Sequence, residues 1–214
     1  MSKIFIVGLP RTGTTSVCAA LLRHGFLVAH TAYTDAAFDQ ADVVGDTPVF
    51  HEFERLDTRY PGAKFIYLAR NEALWLPSIK TLLTKINRKG GSDNNPFHPV
   101  FVRCFREVFG VFDASVDFEE CLVDSYLSAR YAQHHNRVLE YFKGRPQDLL
   151  SIEVSQAGSF TQLLRFLDIA NHQIDNFESL NKDGVISDWH KIAYPNKVGS
   201  HLKSTSGSRV LTYV

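Results

Sequence analysis

A short apolar run near the N-terminus ends in a turn bracketed by two glycines, and a helical pattern follows directly. The run is Lys3 to Val7, and the turn is Gly8-Leu9-Pro10-Arg11-Thr12-Gly13-Thr14-Thr15. From Thr15 onward, apolar residues recur at helical spacing until Gly25. Glycines let consecutive backbone N–H groups point to one side of such a turn, and the helix N-terminus adds the positive end of its dipole. This order of elements predicts a phosphate-binding loop within an α/β fold.

The rest of the chain predicts the same fold class. Further strands are expected at Ala63 to Leu68 and at Leu149 to Val154, with helical apolar stripes between and after them. Short apolar runs that alternate with helices are typical of a parallel sheet covered on both faces. We therefore expect a three-layer α/β/α domain of the P-loop nucleotide-binding type. It spans residues 1–214, with a flexible loop at about 89–99 and a flexible C-terminal tail at about 196–214.

Composition excludes several other classes. The 214 residues carry 23 Lys and Arg against 23 Asp and Glu, so nothing favours binding to nucleic acid or to a membrane surface. Cys18, Cys104 and Cys121 are widely spaced without a metal-binding pattern, which is typical of free thiols in a reducing compartment. No signal peptide or long apolar window is apparent, so a cytoplasmic location is expected. We expect no metal site.

The loop departs from the nucleotidase pattern at one informative position. The pattern G-x-x-x-x-G-K-[ST] has a lysine after its second glycine, whereas this chain has Thr14 there and carries its cation at Arg11. That lysine reaches the β- and γ-phosphates of a nucleoside triphosphate, so its replacement argues against triphosphate hydrolysis. An arginine flanked by threonine hydroxyls suits a diester-like anion whose bridging oxygen must leave. The alternative is a glycine turn with solvated polar residues.

Three segments together resemble one enzyme family. Pro10 to Thr15 resembles the 5′-phosphosulfate loop, P-[KR]-[ST]-G-T-[ST], of sulfotransferases that use 3′-phosphoadenosine 5′-phosphosulfate (PAPS). Arg70 and Ser78, eight positions apart, follow the second predicted strand with the spacing of the family's 3′-phosphate motif. The segment from Lys182 to Trp189 resembles the family's loop over the nucleotide, although Asp183 and Ser187 depart from it. The pattern Tyr60-Pro61-Gly62-Ala63-Lys64-Phe65, followed by Arg70 and Trp75, resembles a compact bacterial-type branch of the family.

The resemblance implies a reaction and a set of site residues. The reaction is transfer of a sulfuryl group from PAPS to a hydroxyl or amine of a small-molecule acceptor, leaving 3′-phosphoadenosine 5′-phosphate (PAP). Arg11 would stabilise the leaving phosphate. Asp46 falls where cytosolic members carry a general-base histidine two residues before a proline, and His51 and Glu52 are rivals for that role. The implied nucleotide-binding residues are Pro10, Arg11, Thr12, Gly13, Thr14, Thr15, Arg70, Ser78, Lys182 and Gly184.

Two other functions stay open from the sequence. One is an ATP-dependent small-molecule P-loop kinase, and the other is a nucleotide-binding module without catalysis. The histidines do not separate these alternatives. His134 or His135 is expected to be a packed core histidine, and the others, His30 among them, form no constellation in the sequence. The acceptor and the oligomeric state are not fixed by the sequence.

Overall fold

The computed structural model describes residues 2–90, 95–170, 176–177 and 189–203. The strands within these ranges are β1 (Ile4–Ile6), β2 (Val28–Ala29), β3 (Val43–Val44), β4 (Lys64–Ala69) and β5 (Leu149–Glu153). The helices are α1 (Thr14–Arg23), α2 (Asp35–Gln40), α3 (Asp46–Arg59), α4 (Glu72–Gly90), α5 (Pro99–Phe109), α6 (Asp124–Phe142) and α7 (Ser159–Phe166), with short 3₁₀ turns at Glu120–Leu122, Pro146–Asp148 and Trp189–Lys191.

The five strands form one parallel sheet in the order β2-β3-β1-β4-β5. Strand β1 is central, with Phe5 in register with Val44 of β3 and with Phe65 of β4. The three apolar runs of the sequence become β1, β4 and β5 within one residue at either end. The prediction of a parallel α/β sheet is confirmed.

Alternate residues of the central strand pack into different helical layers, because side chains of a strand point to opposite faces. Phe5 lies in a core with residues of α3 and α6, whereas Ile4 and Ile6 lie in a core with residues of α1 and α7. The sheet is therefore covered on both faces, which gives the three layers expected. No helix in the described ranges is long and apolar enough to cross a membrane.

Two segments expected to be flexible differ in their bounds. Helix α4 continues to Gly90 and α5 begins at Pro99, so the connection between them is shorter than the predicted loop at 89–99. Part of the predicted tail runs along β2. The Val28 N–H donates to the Asn196 carbonyl at 3.0 Å, and the Val198 N–H donates to the Val28 carbonyl at 2.9 Å. Residues 91–94 and 204–214 lie outside the described ranges.

Candidate functional site

The glycine-bracketed loop connects β1 to α1 at the carboxyl edge of the sheet, where ligands bind in folds of this type. Both glycines are required by their surroundings. A Cβ on Gly8 would lie 2.6 Å from the Leu68 Cβ, and Gly13 has a φ of +112° with a Val154 methyl 2.8 Å from its missing Cβ. The Trp75 indole N–H donates to the Pro10 carbonyl at 2.9 Å and anchors the loop from α4. The loop is thus packed on both sides by the sheet and α4.

The structure brings Arg70 and Ser78 to the loop. Arg70 follows β4 directly, and its backbone is clamped by the Tyr131 hydroxyl, which accepts from the Arg70 N–H at 2.8 Å and donates to the Arg70 carbonyl at 2.9 Å. The Arg70 guanidinium donates to the Arg11 carbonyl. Ser78 lies on α4, where its hydroxyl accepts from the Arg11 Nε at 2.8 Å. Residues about sixty positions apart in sequence therefore converge on one place.

The electrostatics of this place favour an anion. Burial lowers the pKa of the Arg11 guanidinium, and the neighbouring charge of Arg70 lowers it further. Burial also lowers the pKa of Arg70. An anion between two adjacent guanidinium groups would offset both effects. The buried Thr14 hydroxyl has no hydrogen-bond partner among the described residues, so it too can accept a ligand contact. Phosphate-like groups fit this donor set.

Asp46 lies beside the loop as the first residue of α3. Gly45 brings it there, because a Cβ at Gly45 would lie 2.8 Å from the Thr14 methyl and any larger residue would push the two elements apart. Asp46 has a φ of +44°, in the left-handed region that non-glycine residues rarely adopt. The Thr47 hydroxyl donates to the Asp46 Oδ1 at 3.0 Å. The carboxylate contributes a favourable charge to Arg11.

The structure adds His30, which the sequence pattern alone did not indicate. Its Nε2 is 2.8 Å from the Thr15 hydroxyl, and its Nδ1 is 4.0 Å from the Asp46 Oδ2. The side chain is only 8% exposed. The position of His30 directly after β2, at the same sheet edge as the loop, would have indicated a site residue if β2 had been predicted. That strand is two residues long, so the apolar pattern did not reveal it.

The two rivals of Asp46 contact α5. Glu52 is buried, and its Oε1 forms an ion pair with Arg103. The His51 Nε2 forms a hydrogen bond with Glu107. These contacts favour Asp46 as the group that faces the loop. His134 is a packed core histidine, as expected, because its Nε2 donates to the Phe50 carbonyl at 2.7 Å.

The predicted C-terminal nucleotide loop lies almost wholly outside the described residues. Lys182 and Gly184 are therefore not placed. Its last residue, Trp189, is described, and the centroid of its ring lies 5.1 Å from that of the His30 ring. The Lys197 ammonium lies 4.7 Å from the Trp189 ring centroid. The described end of the segment thus meets the site at His30.

A glycine-bracketed loop at the edge of a parallel sheet defines the P-loop class of α/β folds. Within that class, the family model for a sulfotransferase domain matches residues 28–185, well over half of the chain. The chain therefore belongs to this sulfotransferase family. The glycine-bracketed loop precedes the matched region.

Comparisons with individual proteins give a distant structural similarity and no match among curated proteins. A solved structure of mouse sulfotransferase SULT7A1 complexed with PAP is similar at a TM-score of 0.45 and 14% identity, over 91% of this chain and 79% of that one.

Proposed function

We propose that this protein is a PAPS-dependent sulfotransferase that acts on a hydroxyl or amine of a small-molecule acceptor. Membership of the sulfotransferase family supports the transfer of sulfuryl groups. The observation that carries the donor assignment is the meeting of Arg11 with Arg70 and Ser78. An adenosine bisphosphate has phosphates at its 5′ and 3′ ends, and a site for it needs two groups of donors within reach of one nucleoside.

The loop from Pro10 to Thr15 is proposed to bind the 5′ end, through the N–H groups at the start of α1 and the hydroxyls of Thr14 and Thr15. Arg70 and Ser78 are proposed to bind the 3′-phosphate, for which the planar guanidinium offers matched donors. The partnerless Thr14 hydroxyl and the adjacent arginine charges support this assignment. Lys182 and Gly184 are proposed to complete the nucleotide site.

When bound, PAPS supplies a sulfuryl group that passes to the acceptor oxygen or nitrogen, while PAP keeps the electron pair of the broken S–O bond. Arg11 is proposed to hold its guanidinium against the phosphate oxygen on which negative charge develops. Asp46 is proposed to take the proton that the acceptor loses. The packing of the loop against Trp75 and the sheet keeps Arg11 and Asp46 in a fixed relation.

Isothermal titration of the full chain with PAP tests the donor assignment. We expect binding in the micromolar range or tighter without added Mg²⁺, and absence of binding at high micromolar PAP would refute the assignment. Preference for ATP with Mg²⁺ would instead indicate the kinase alternative. Incubation with ³⁵S-labelled PAPS and a panel of alcohols, phenols, amines and sugars then tests transfer.

A further inference from the structure

His30 connects the two halves of the proposed chemistry. It follows β2 and is buried between the first turn of α1 and the first residue of α3. Its Nε2 contacts the Thr15 hydroxyl at 2.8 Å, and its Nδ1 faces the Asp46 Oδ2 at 4.0 Å. The phosphate loop and the proposed base are thus linked through one imidazole ring.

We propose that His30 is a positioning residue that changes tautomer when an anion occupies the loop, and that this change makes Asp46 a stronger base. The inference rests on the proposed function, since it takes the loop as the donor site and Asp46 as the base. What it adds is that an anion in the loop changes the basicity of Asp46 through His30.

The first tautomer belongs to the protein without nucleotide. A neutral imidazole has one N–H donor and one acceptor nitrogen. With the proton on Nδ1, the N–H faces the Asp46 carboxylate and stabilises its charged form, while Nε2 accepts from the Thr15 hydroxyl. This arrangement keeps Asp46 a weak base.

The second tautomer follows from an anion in the loop. The anion attracts the Thr15 hydroxyl proton, so the Thr15 oxygen becomes an acceptor for an Nε2–H of His30. The ring releases its Nδ1 proton to water and takes up a proton from water at Nε2, so it stays neutral. The Nδ1 lone pair then faces Asp46, where it repels a carboxylate and accepts from a protonated acid. The gap of 4.0 Å must shorten by about 1 Å to form that hydrogen bond. Donor occupancy therefore favours proton uptake by Asp46.

The environment holds His30 neutral for this role. Burial lowers the pKa of His30, the Asp46 charge opposes that effect, and Lys197 adds to it. Burial raises the pKa of each nearby tyrosine and thiol group, so these stay neutral near pH 7.5. Among the residues that the structure describes, the titratable and charged groups that interact with the pair from neighbouring elements are Arg11, Cys18, Tyr33, Cys104 and Lys197.

Long-range ¹H–¹⁵N correlation spectra of the full chain, labelled in its histidine rings, test the proposal. Spectra are recorded at about pH 7.5 without and with saturating PAP, and His30→Gln assigns the His30 signals. Two other histidines serve as references, because a carbonyl can only accept. The His24 Nδ1 lies 2.9 Å from the Ala20 carbonyl and the His134 Nε2 lies 2.7 Å from the Phe50 carbonyl, which fixes opposite tautomers. We expect His30 to change from the His24-like to the His134-like form.

One variant separates the two ring nitrogens by function. His30→Gln keeps an amide near the Nε2 position and Thr15 and leaves no group at the Nδ1 position beside Asp46. We expect His30→Gln to bind PAP within about threefold of wild type and to lose about tenfold or more in kcat. The acidic limb of its kcat profile moves to lower pH, because Asp46 no longer gains basicity. A merely structural role would not move that limb, and His24→Gln is the control.

The outcomes are distinct. A wild-type protein that does not bind PAP refutes the proposed function and this inference together. PAP binding with His30 in one unchanged tautomer, or with both ring nitrogens protonated, refutes the inference alone. A change of tautomer with an unmoved acidic limb in His30→Gln refutes the coupling to Asp46.

Discussion

Arg70→Ala should strongly reduce a preference for PAP over AMP, which lacks the 3′-phosphate. The substitution removes a side chain without releasing its backbone, because the Tyr131 hydroxyl clamps the Arg70 N–H and carbonyl. It also removes the hydrogen bond from the guanidinium to the Arg11 carbonyl. The loop keeps its anchor at Trp75, so binding of the 5′ end should persist.

The magnitude follows from the hydrogen bonds that the Arg70 guanidinium would donate to the 3′-phosphate. A hydrogen bond to a charged group contributes about 1.5–3 kcal/mol, and a guanidinium can make two to one phosphate. Arg70 is partly exposed, so we take about 2–3 kcal/mol for the side chain, which is a factor of about 30–150 in affinity. The dissociation constant for PAP should rise by that factor, while that for AMP should change little.

Calorimetric titration of both nucleotides into wild type and Arg70→Ala measures the preference as a ratio. Arg59→Ala is the matched control, because Arg59 ends the helix that Asp46 begins and is paired with Asp35. Arg59 is therefore at the opposite end of α3 from Asp46. A preference that Arg70→Ala leaves unchanged, or that Arg59→Ala reduces equally, would show that Arg70 does not bind the 3′-phosphate.

Two further predictions concern catalysis and stability. Arg11→Ala should lower kcat by about 10²–10³ and weaken PAP binding far less, with Arg11→Lys intermediate; equal losses in steady-state kcat and in calorimetric affinity would contradict a leaving-group role. Burial lowers the pKa of His134 to about 4, so the unfolded chain binds its proton first and the free energy of unfolding should fall by about 3 kcal/mol from pH 6.5 to 4. Urea titrations at several pH values should show a smaller fall in the free energy of unfolding for His134→Gln. The same dependence on pH in wild type and His134→Gln would contradict this prediction.

Local features of the sequence predicted much of the sheet and loop. The strands β1, β4 and β5, which the apolar runs predicted, are three to six residues long. The loop was visible because Gly8 and Gly13 stand between an apolar run and a helical pattern that are adjacent in the chain. Such signals are local in the chain, so they need no knowledge of its tertiary partners.

The features that were missed depend on tertiary contacts. Strands β2 and β3 have two residues each, too short to show a period, and they gain their hydrogen bonds from distant segments. The Asn196 to Val198 segment has the composition of a tail, yet it pairs with Val28. His30 acquires its partners only when β2 is beside β3, since one partner precedes it by fifteen residues and the other follows by sixteen.

The backbone at Arg11 and Asp46 argues that the two proposed catalytic groups belong to one built site. Among the described residues, four that are not glycine have a positive φ, and these are two of them. Such conformations cost of order 1–3 kcal/mol each and persist where the surroundings over-determine them. Here the surroundings are specific, since Trp75 holds the Pro10 carbonyl and Gly45 fits against Thr14. These contacts hold both backbones in the left-handed region at the place where the proposed leaving-group cation and the proposed base lie beside the loop.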